Sequence, residues 1–481
     1  MALAAVGGAG GCALAALLLR FFIAIAPEGI PRLRQASLDG RVLLFTLAVS
    51  LFCGILFGLA PALSNPGAEA LSGPRGHPRS AGSRHHRFRQ VLIAAQISIS
   101  VVLLAGAGLL LRSLWNLENQ PLGMRTDGVL TASVALGRNT YPDPARRLAF
   151  FEAMETRLGR IPGVAVVAVS DSLPPEGSNL GPMLYAGIDV EGRPRAADPT
   201  GGSVEHRLIT PGYYAALGIP ILRGRGFLDE DRGPDRNVAI LSDSLARRMF
   251  PGENPLEKRI RPGRIGPWLT VVGVAADVKN SGLADRPSPE YYQVRKHSAE
   301  NPGRAATAIL RCAGDPRGMA RWVRAEIAAL DPTLPVTLET VAQRTGKLAE
   351  RPRFNAWLLA IFGAMGLLLA AIGLYSVISY LVAQRTQEIG VRMALGASSG
   401  AIARMVLAYA ARWAAAGTVV GLAASLAALR ILRTMLVHVT WQDPRTMAGA
   451  LAVLWADALL AAWLPSRRAA RVDPVEALRR E

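Results

Sequence analysis

Few residues in this chain have the types and spacing that catalysis needs. Asp229, Glu230 and Asp231 run consecutively and could hold a hard cation through carboxylate oxygens, but a solvated turn accounts for them better. Ser170 and Ser172 lack the glycine-flanked elbow of a hydrolase nucleophile, and His206 and His297 have no motif around them. His85 and His86 are adjacent, with no third ligand nearby to complete a metal site. Tyr213 and Tyr214, beside Leu217, read as packing on a helix. Gly-x-x-x-x-Gly-Lys-Ser/Thr does not occur, and RTGKL at Lys347 is the nearest approach, so the sequence carries no phosphate loop for ATP. Of the cysteines, Cys12 and Cys53 lie in apolar runs and Cys312 stands alone, which gives neither a disulfide framework nor metal-ligand spacing. No catalytic residue, metal or cofactor is expected.

One polar stretch does have an organised pattern. Residues 384–405 read QRTQEIGVRMALGASSGAIARM between two long apolar runs. On a helix Arg385, Glu388 and Arg392 share a face, with Glu388 and Arg392 a supportive i,i+4 pair, while Ile389 and Met393 line another face. Gly396 suits the left-handed position past a helix end, and Ser398 can cap the helix that follows. The expectation is a short amphipathic helix, a tight turn and return into lipid. Periodicity alone fits an ordinary cytoplasmic loop anchored by arginines better.

The elements that must position this stretch follow from composition. Mean hydropathy is +0.25, half of the 481 residues are hydrophobic, and the apolar residues come in blocks. The formal charge of +18 is nearly all arginine, scattered and often flanking those blocks, which favours membrane anchors over nucleic-acid binding. Apolar runs long enough to span lie at Ala2–Ala26, Val42–Leu63, Val91–Leu111, Phe354–Ala383, Val406–Leu429 and Met447–Leu464. The first lacks the basic start of a secretory signal, so it reads as a membrane helix. Residues 64–90 form a basic, flexible linker, cytoplasmic by the positive-inside rule, and 465–481 form a basic cytoplasmic tail. Asp457, in mid-span, should face other helices or a polar pocket; an interhelical hydrogen bond is the plainer account, with a proton or substrate role as the alternative.

Residues 112–353 contain no run long enough to span and carry the pattern of a water-soluble domain. Strands are expected at Val129–Leu136, Val164–Val169, Glu205–Ile209, Val238–Ser242, Leu269–Ala275 and Ala306–Arg311, with helices at Pro144–Arg160 and Pro316–Leu330. The first two strands and the helix between them read as a β-α-β unit. Since the linker is assigned inside, this domain lies outside the cytoplasm. The fold class is therefore a membrane α-helical protein with about six transmembrane helices and one large extracytoplasmic α+β domain.

The chain also repeats itself. Asp39, Arg41 and Pro61 match Asp443, Arg445 and Pro465 at one offset, and Gly7, Gly11 and Arg20 match Gly417, Gly421 and Arg430 at another. Charged and glycine positions agreeing in two successive spans favour duplication.

RTQEIGVRMALGAS, the helix pair after it and the tail LPSRRAARVDPVEALR resemble the permeases of the MacB/FtsX class of ABC transporters. VLIAAQISISVVLLAGAGLLLRSLWNLENQPLGMRTDGVLTASVAL and the YPDPARRLAFFEAM run resemble the long, duplicated, acidobacterial-type permeases of that class. The resemblance implies a transport subunit, not itself an enzyme, that pairs with a separate cytoplasmic ABC ATPase in the bacterial inner membrane. It implies that residues 384–405 touch the ATPase through Arg385, Glu388, Ile389, Gly390, Arg392, Ala394, Leu395, Gly396 and Ala397. Gln387 departs from the basic residue frequent in such loops. Residues 1–63 would be two helices of a first FtsX-like half, N-terminally shortened; 112–353 would be the MacB-like domain, and 354–464 the three spans of the second half. Partners would be the ATPase, the lipid bilayer, and a second permease half or an outer-membrane or periplasmic protein, without nucleic acid. Function would be export or mechanotransmission; a non-transporting regulator of an extracytoplasmic partner, or an inactive truncated permease, are the alternatives.

Overall fold

The computed structural model describes residues 2–25, 39–49, 81–177, 181–184, 187–193, 202–263, 266–299, 303–432, 439 and 443–470. In chain order, three helices come first: α1 (Ala2–Ile25), α2 (Gly40–Val49) and α3 (Ala81–Glu118). The sheet domain follows as β1 (Val129–Ala135), α4 (Pro144–Gly159), β2 (Val164–Ser170), β3 (Met183–Leu184), β4 (Ile188–Val190) and β5 (Ser203–Ile209). It continues through α5 (Tyr213–Leu217), β6 (Ile221–Gly224), β7 (Val238–Ser242), α6 (Asp243–Met249), β8 (Arg259–Pro262) and β9 (Leu269–Ala275). β10 (Glu290–Val294), β11 (Ala305–Cys312), α7 (Pro316–Ala328) and β12 (Val336–Thr340) complete it. The last helices are α8 (Val341–Gln384), α9 (Thr386–Ala394), α10 (Ser399–Leu432) and α11 (Pro444–Ala469).

The chain divides into a helical unit, Met1–Asn116 with Glu350–Glu481, and a sheet unit, Leu117–Ala349. Five helices among the described residues are long and apolar enough to cross a membrane: α1, α3, α8, α10 and α11. The expected second span, Val42–Leu63, is described only over its first part, the short apolar helix α2; residues 50–63, most of the linker and the tail from 471 lie outside the described residues.

Two helices start ten residues or more before their apolar runs. α3 begins at Ala81, because after Gly82 the basic end of the linker contains neither proline nor glycine to stop a helix. α8 begins at Val341, not Phe354. Thr340 and Gln343 form a reciprocal cap: the Gln343 amide donates to Thr340 Oγ1 at 3.1 Å, and the Thr340 amide donates to Gln343 Oε1 at 2.9 Å.

In the helical unit α3 is closely approached on two sides. A side chain at Gly417 or Gly421 of α10 would collide with Ile97 or with Val101 and Ser98 of α3, at 2.7 and 2.8 Å, so only glycine permits this approach. Gly373 and Gly366 of α8 meet Gln96 and Ser100 of the same helix. At the end of α3 nearest the sheet unit in sequence, Arg112 pairs with Asp443, which also caps α11 by accepting from the Thr446 amide at 3.0 Å. Asp39 caps α2 in the same way, accepting from the Val42 amide at 3.0 Å. Gly7 and Gly11, by contrast, have nothing within 4 Å of the place a Cβ would occupy.

The sheet unit is α+β. Its main sheet runs β12-β1-β11-β2-β5-β10-β7-β9-β8-β4, with β3 on β5 and β6 on β9. The expected β-α-β unit is a split one: β11 lies between β1 and β2, antiparallel to both. Sequence periodicity cannot reveal this, because a strand more than a hundred residues later takes the central place. Strand alternation sorts the core into two layers. Leu130, Ala132, Ala308 and Leu310 pack on Phe151, Met154 and Leu158 of α4 and on Val323 and Ile327 of α7. Val129, Ala168 and Ile309 face the opposite way, onto Tyr213, Ala216 and Leu217 of α5. Each such large side chain, fully buried, contributes roughly 1.5–3 kcal/mol.

The central strand β5 carries an arginine with no exposed surface. Arg207 donates from Nε to Glu290 Oε1 at 2.7 Å, from Nη1 to Ser172 Oγ at 2.7 Å and from Nη2 to the Glu176 carbonyl at 3.2 Å. Glu290 also accepts from Asn280 at 3.0 Å and from the Tyr292 hydroxyl at 2.8 Å. Burial alone would disfavour the guanidinium charge, but Glu290 outweighs it and holds the proton more firmly than usual. Glu176 is in turn gripped through both oxygens by Arg344, at 3.1 and 2.5 Å, in the first turn of α8.

Candidate functional site

The residues weighed above for catalysis or metal binding make the following contacts. Tyr213, Tyr214 and Leu217 are buried in α5. Ser170 is buried, Ser172 accepts from Arg207, and His206 stacks on Tyr291 at 4.6 Å between ring centroids. His297 bonds Glu152. Asp229, Glu230 and Asp231 start a single turn of 3-10 helix. Within it Asp231 grips Arg225 at 2.5 and 3.0 Å. Burial works to raise the Asp231 pKa, but Arg225 and the Leu228 amide outweigh it and leave it below the usual carboxylate range. Among the described residues no group of three or more His, Cys, Asp or Glu side chains could hold a metal.

The organised polar surface lies at 384–405. α8 ends at Gln384, α9 follows as a separate helix of nine residues, and α10 begins at Ser399. Glycine at 396 permits the break: its φ is +96°, and the Ala397 amide closes the turn on the Arg392 carbonyl at 2.9 Å. Ser398 then caps α10, its Oγ accepting from the Ala401 amide at 3.3 Å.

The two faces of α9 differ. Ile389 is 1% exposed and packs with Ile378, Ile402 and Val406, with Met393 and Ala397 partly buried against the same cluster. Gly390 is buried too. On the outer face Glu388 bonds Arg392 at 2.6 Å and stands 4.0 Å from Arg385, all three about half exposed. Arg392 also reaches the Met405 sulfur at 3.1 Å, bracing α9 on α10. Val391, Ala394, Leu395 and Gly396 are exposed, Leu395 at 83%. Of the nine residues singled out from the sequence, Ile389 and Gly390 thus anchor the helix, Ala397 is half-buried in the turn, and Arg385, Glu388, Arg392, Ala394, Leu395 and Gly396 form the outward surface.

Asp457 is half-buried on α11 and meets no hydrogen-bond partner among the described residues. The sequence reading passed over a clasp at the far end of the same helix, where Arg468 donates to the Tyr375 hydroxyl of α8 at 3.0 Å. Arg412 of α10 lines the same cavity as Ile389 of α9. The signal for Arg412 was present: it is the last charge before the uncharged run of α10.

The family described as the MacB-like periplasmic core domain matches residues 91–294, and the FtsX-like permease C-terminal family matches residues 360–474. A probable syringafactin export ATP-binding/permease protein, SyfD, of Pseudomonas syringae pv. tomato is 27% identical over 57% of this chain and 42% of its own length. A macrolide export ATP-binding/permease protein, MacB, of Marinobacter nauticus is 28% identical over 54% of this chain and 41% of its own. The chain therefore spans less than half the length of these relatives. The periplasmic region of MacB from Actinobacillus actinomycetemcomitans is similar over 48% of this chain and 97% of that one, at 15% identity and a TM-score of 0.34. The two family matches follow one another from the third expected span to the tail, so the chain carries a MacB-like periplasmic core domain followed by an FtsX-like permease C-terminal domain, as the resemblance in the sequence implied.

Proposed function

We propose that this chain is the transport subunit of an ATP-driven export or mechanotransmission system of the bacterial inner membrane. In this reading the sheet unit is extracytoplasmic, and α9 touches a separate cytoplasmic ATPase through Arg385, Glu388, Arg392 and the exposed Ala394, Leu395 and Gly396. The observation that carries it is the division of α9 into a buried anchor at Ile389 and a charged, exposed face, placed between two helices long enough to span. A partner pressing on that face moves α10 with it. α8 supplies a lever: one helix of 44 residues, ~66 Å at 1.5 Å per residue, contributes to both units. A second permease half, or a periplasmic or outer-membrane protein, is a further partner. The matching caps at Asp39 and Asp443 support reading α1 and α2 as counterparts of α10 and α11.

Charge reversal tests the contact. Glu388→Arg and Arg392→Glu are expected to lower ATPase association and stimulated turnover about tenfold, as loss of a charge-assisted contact does, with unchanged membrane insertion. Wild-type stimulation in both variants would remove α9 from the coupling path.

A further inference from the structure

The underside of α9 closes one wall of a groove of about 350 Å³ between α8 and α10. Its lining is mostly apolar, with Val382, Met405, Ala408 and Ile389 among it, and includes two charged residues, Arg385 and Arg412. Two features fix the level at which this groove lies. On α8, Arg385 follows directly on a run from Phe354 to Gln384 with no charged residue. On α10, Arg412 and Arg430 bracket an uncharged run from Trp413 to Leu429, about 26 Å of helix and close to the thickness of a bilayer's hydrocarbon core. Arg385 therefore stands at the end of the uncharged run of α8 and Arg412 at the start of that of α10, the two ends that α9 connects.

The charges there are under-balanced. Glu388 is already committed to Arg392 at 2.6 Å and lies 4.0 Å from Arg385, and no described carboxylate pairs with Arg412. An apolar groove opening on two guanidinium groups at this level matches a molecule with a hydrocarbon tail and an anionic phosphate head. We propose that the groove binds one anionic phospholipid, its acyl chain along Val382, Met405 and Ala408 and its phosphate held by Arg385 and Arg412. The lipid would press on Ile389 from beneath, so that the headgroup composition of the membrane sets how firmly α9 is seated. This goes beyond the coupling role proposed above and does not depend on it, since the site is defined by the groove and its rim.

Retention of lipid by the purified full chain tests this. Native mass spectrometry would follow phosphatidylglycerol and phosphatidylcholine of identical acyl chains, exchanged into detergent micelles. The wild type is expected to retain phosphatidylglycerol, and Arg385→Gln with Arg412→Gln to lose that retention by about tenfold or more, since a hydrogen bond to a charged partner contributes at least that factor. Ala408→Trp fills the groove without changing charge and should give the same loss, while Arg430→Gln, at the other end of α10, should not. Equal retention by the wild type and the double variant would overturn the proposal. Retention of phosphatidylcholine equal to that of phosphatidylglycerol would overturn it too, as would displacement of the lipid by millimolar inorganic phosphate. A groove filled by a protein segment would show as a wild type that retains neither lipid, again against the proposal.

Discussion

Arg207–Glu290 in the sheet unit and Arg392–Glu388 on α9 join the same chemical groups at nearly the same distance, 2.7 and 2.6 Å. Their surroundings are opposite: the first pair is 0% and 1% exposed, the second 50% and 46%. Removed from water, the first pair is tied to four further groups and fixes where β5, β10 and the loop around Glu176 meet. Left in water, the second gains little from its own contact and keeps both charges available to a partner. The same pair of residue types is thus a rivet in one unit and a socket in the other, and burial alone decides which.

The largest effect should come from breaking the buried pair. Glu290→Ala leaves Arg207 charged and unpaired in the core, and thermal unfolding of the full chain should show a loss of about 3–5 kcal/mol. Arg207→Met with Glu290→Leu should recover most of that loss; a double variant as unstable as the single one would mean that the surrounding hydrogen bonds, and not the unpaired charge, set the cost. Arg112–Asp443 is an intermediate case, its side chains 35% and 12% exposed. Asp443→Ala removes this pair together with the cap of α11, for an expected loss of about 1–2 kcal/mol. Unfolding monitored in detergent would check it, and a loss as large as that of Glu290→Ala would break the graded relation with burial. The smallest change belongs to Glu388→Ala, expected within about 1 kcal/mol and reduced further in high salt. A greater loss of stability would mean that α9 holds the bundle together and is not a free surface.

The exposed site was the more legible of the two. Every signal for α9 is local: charges spaced three and four apart, a glycine at the break, a serine before the next helix. The buried pair was illegible, since Arg207 lies in an ordinary-looking strand, SVEHRLI, and its acid is 83 residues away. Alternation predicts one polar face for such a strand; in the middle of a sheet covered on both sides there is none. Strand positions were readable from alternation, yet their order was not, as the insertion of β11 between β1 and β2 shows. The start of α8 was missed for another reason. Thr340 and Gln343 spell a reciprocal cap, but a search led by hydropathy begins at Phe354 and ignores the polar turns before it.

The outermost position of β12 beside β1 has a consequence for how such proteins diversify. Leu130, near the start of the first strand of the domain, is paired with Thr340, the end of its last. Within the sheet unit the first and last strands are therefore neighbours, one strand spacing apart, ~5 Å. Some two hundred residues of sheet and helix close on themselves there. A module whose ends are already joined can be enlarged, trimmed or exchanged during evolution without altering the distance its neighbours must bridge.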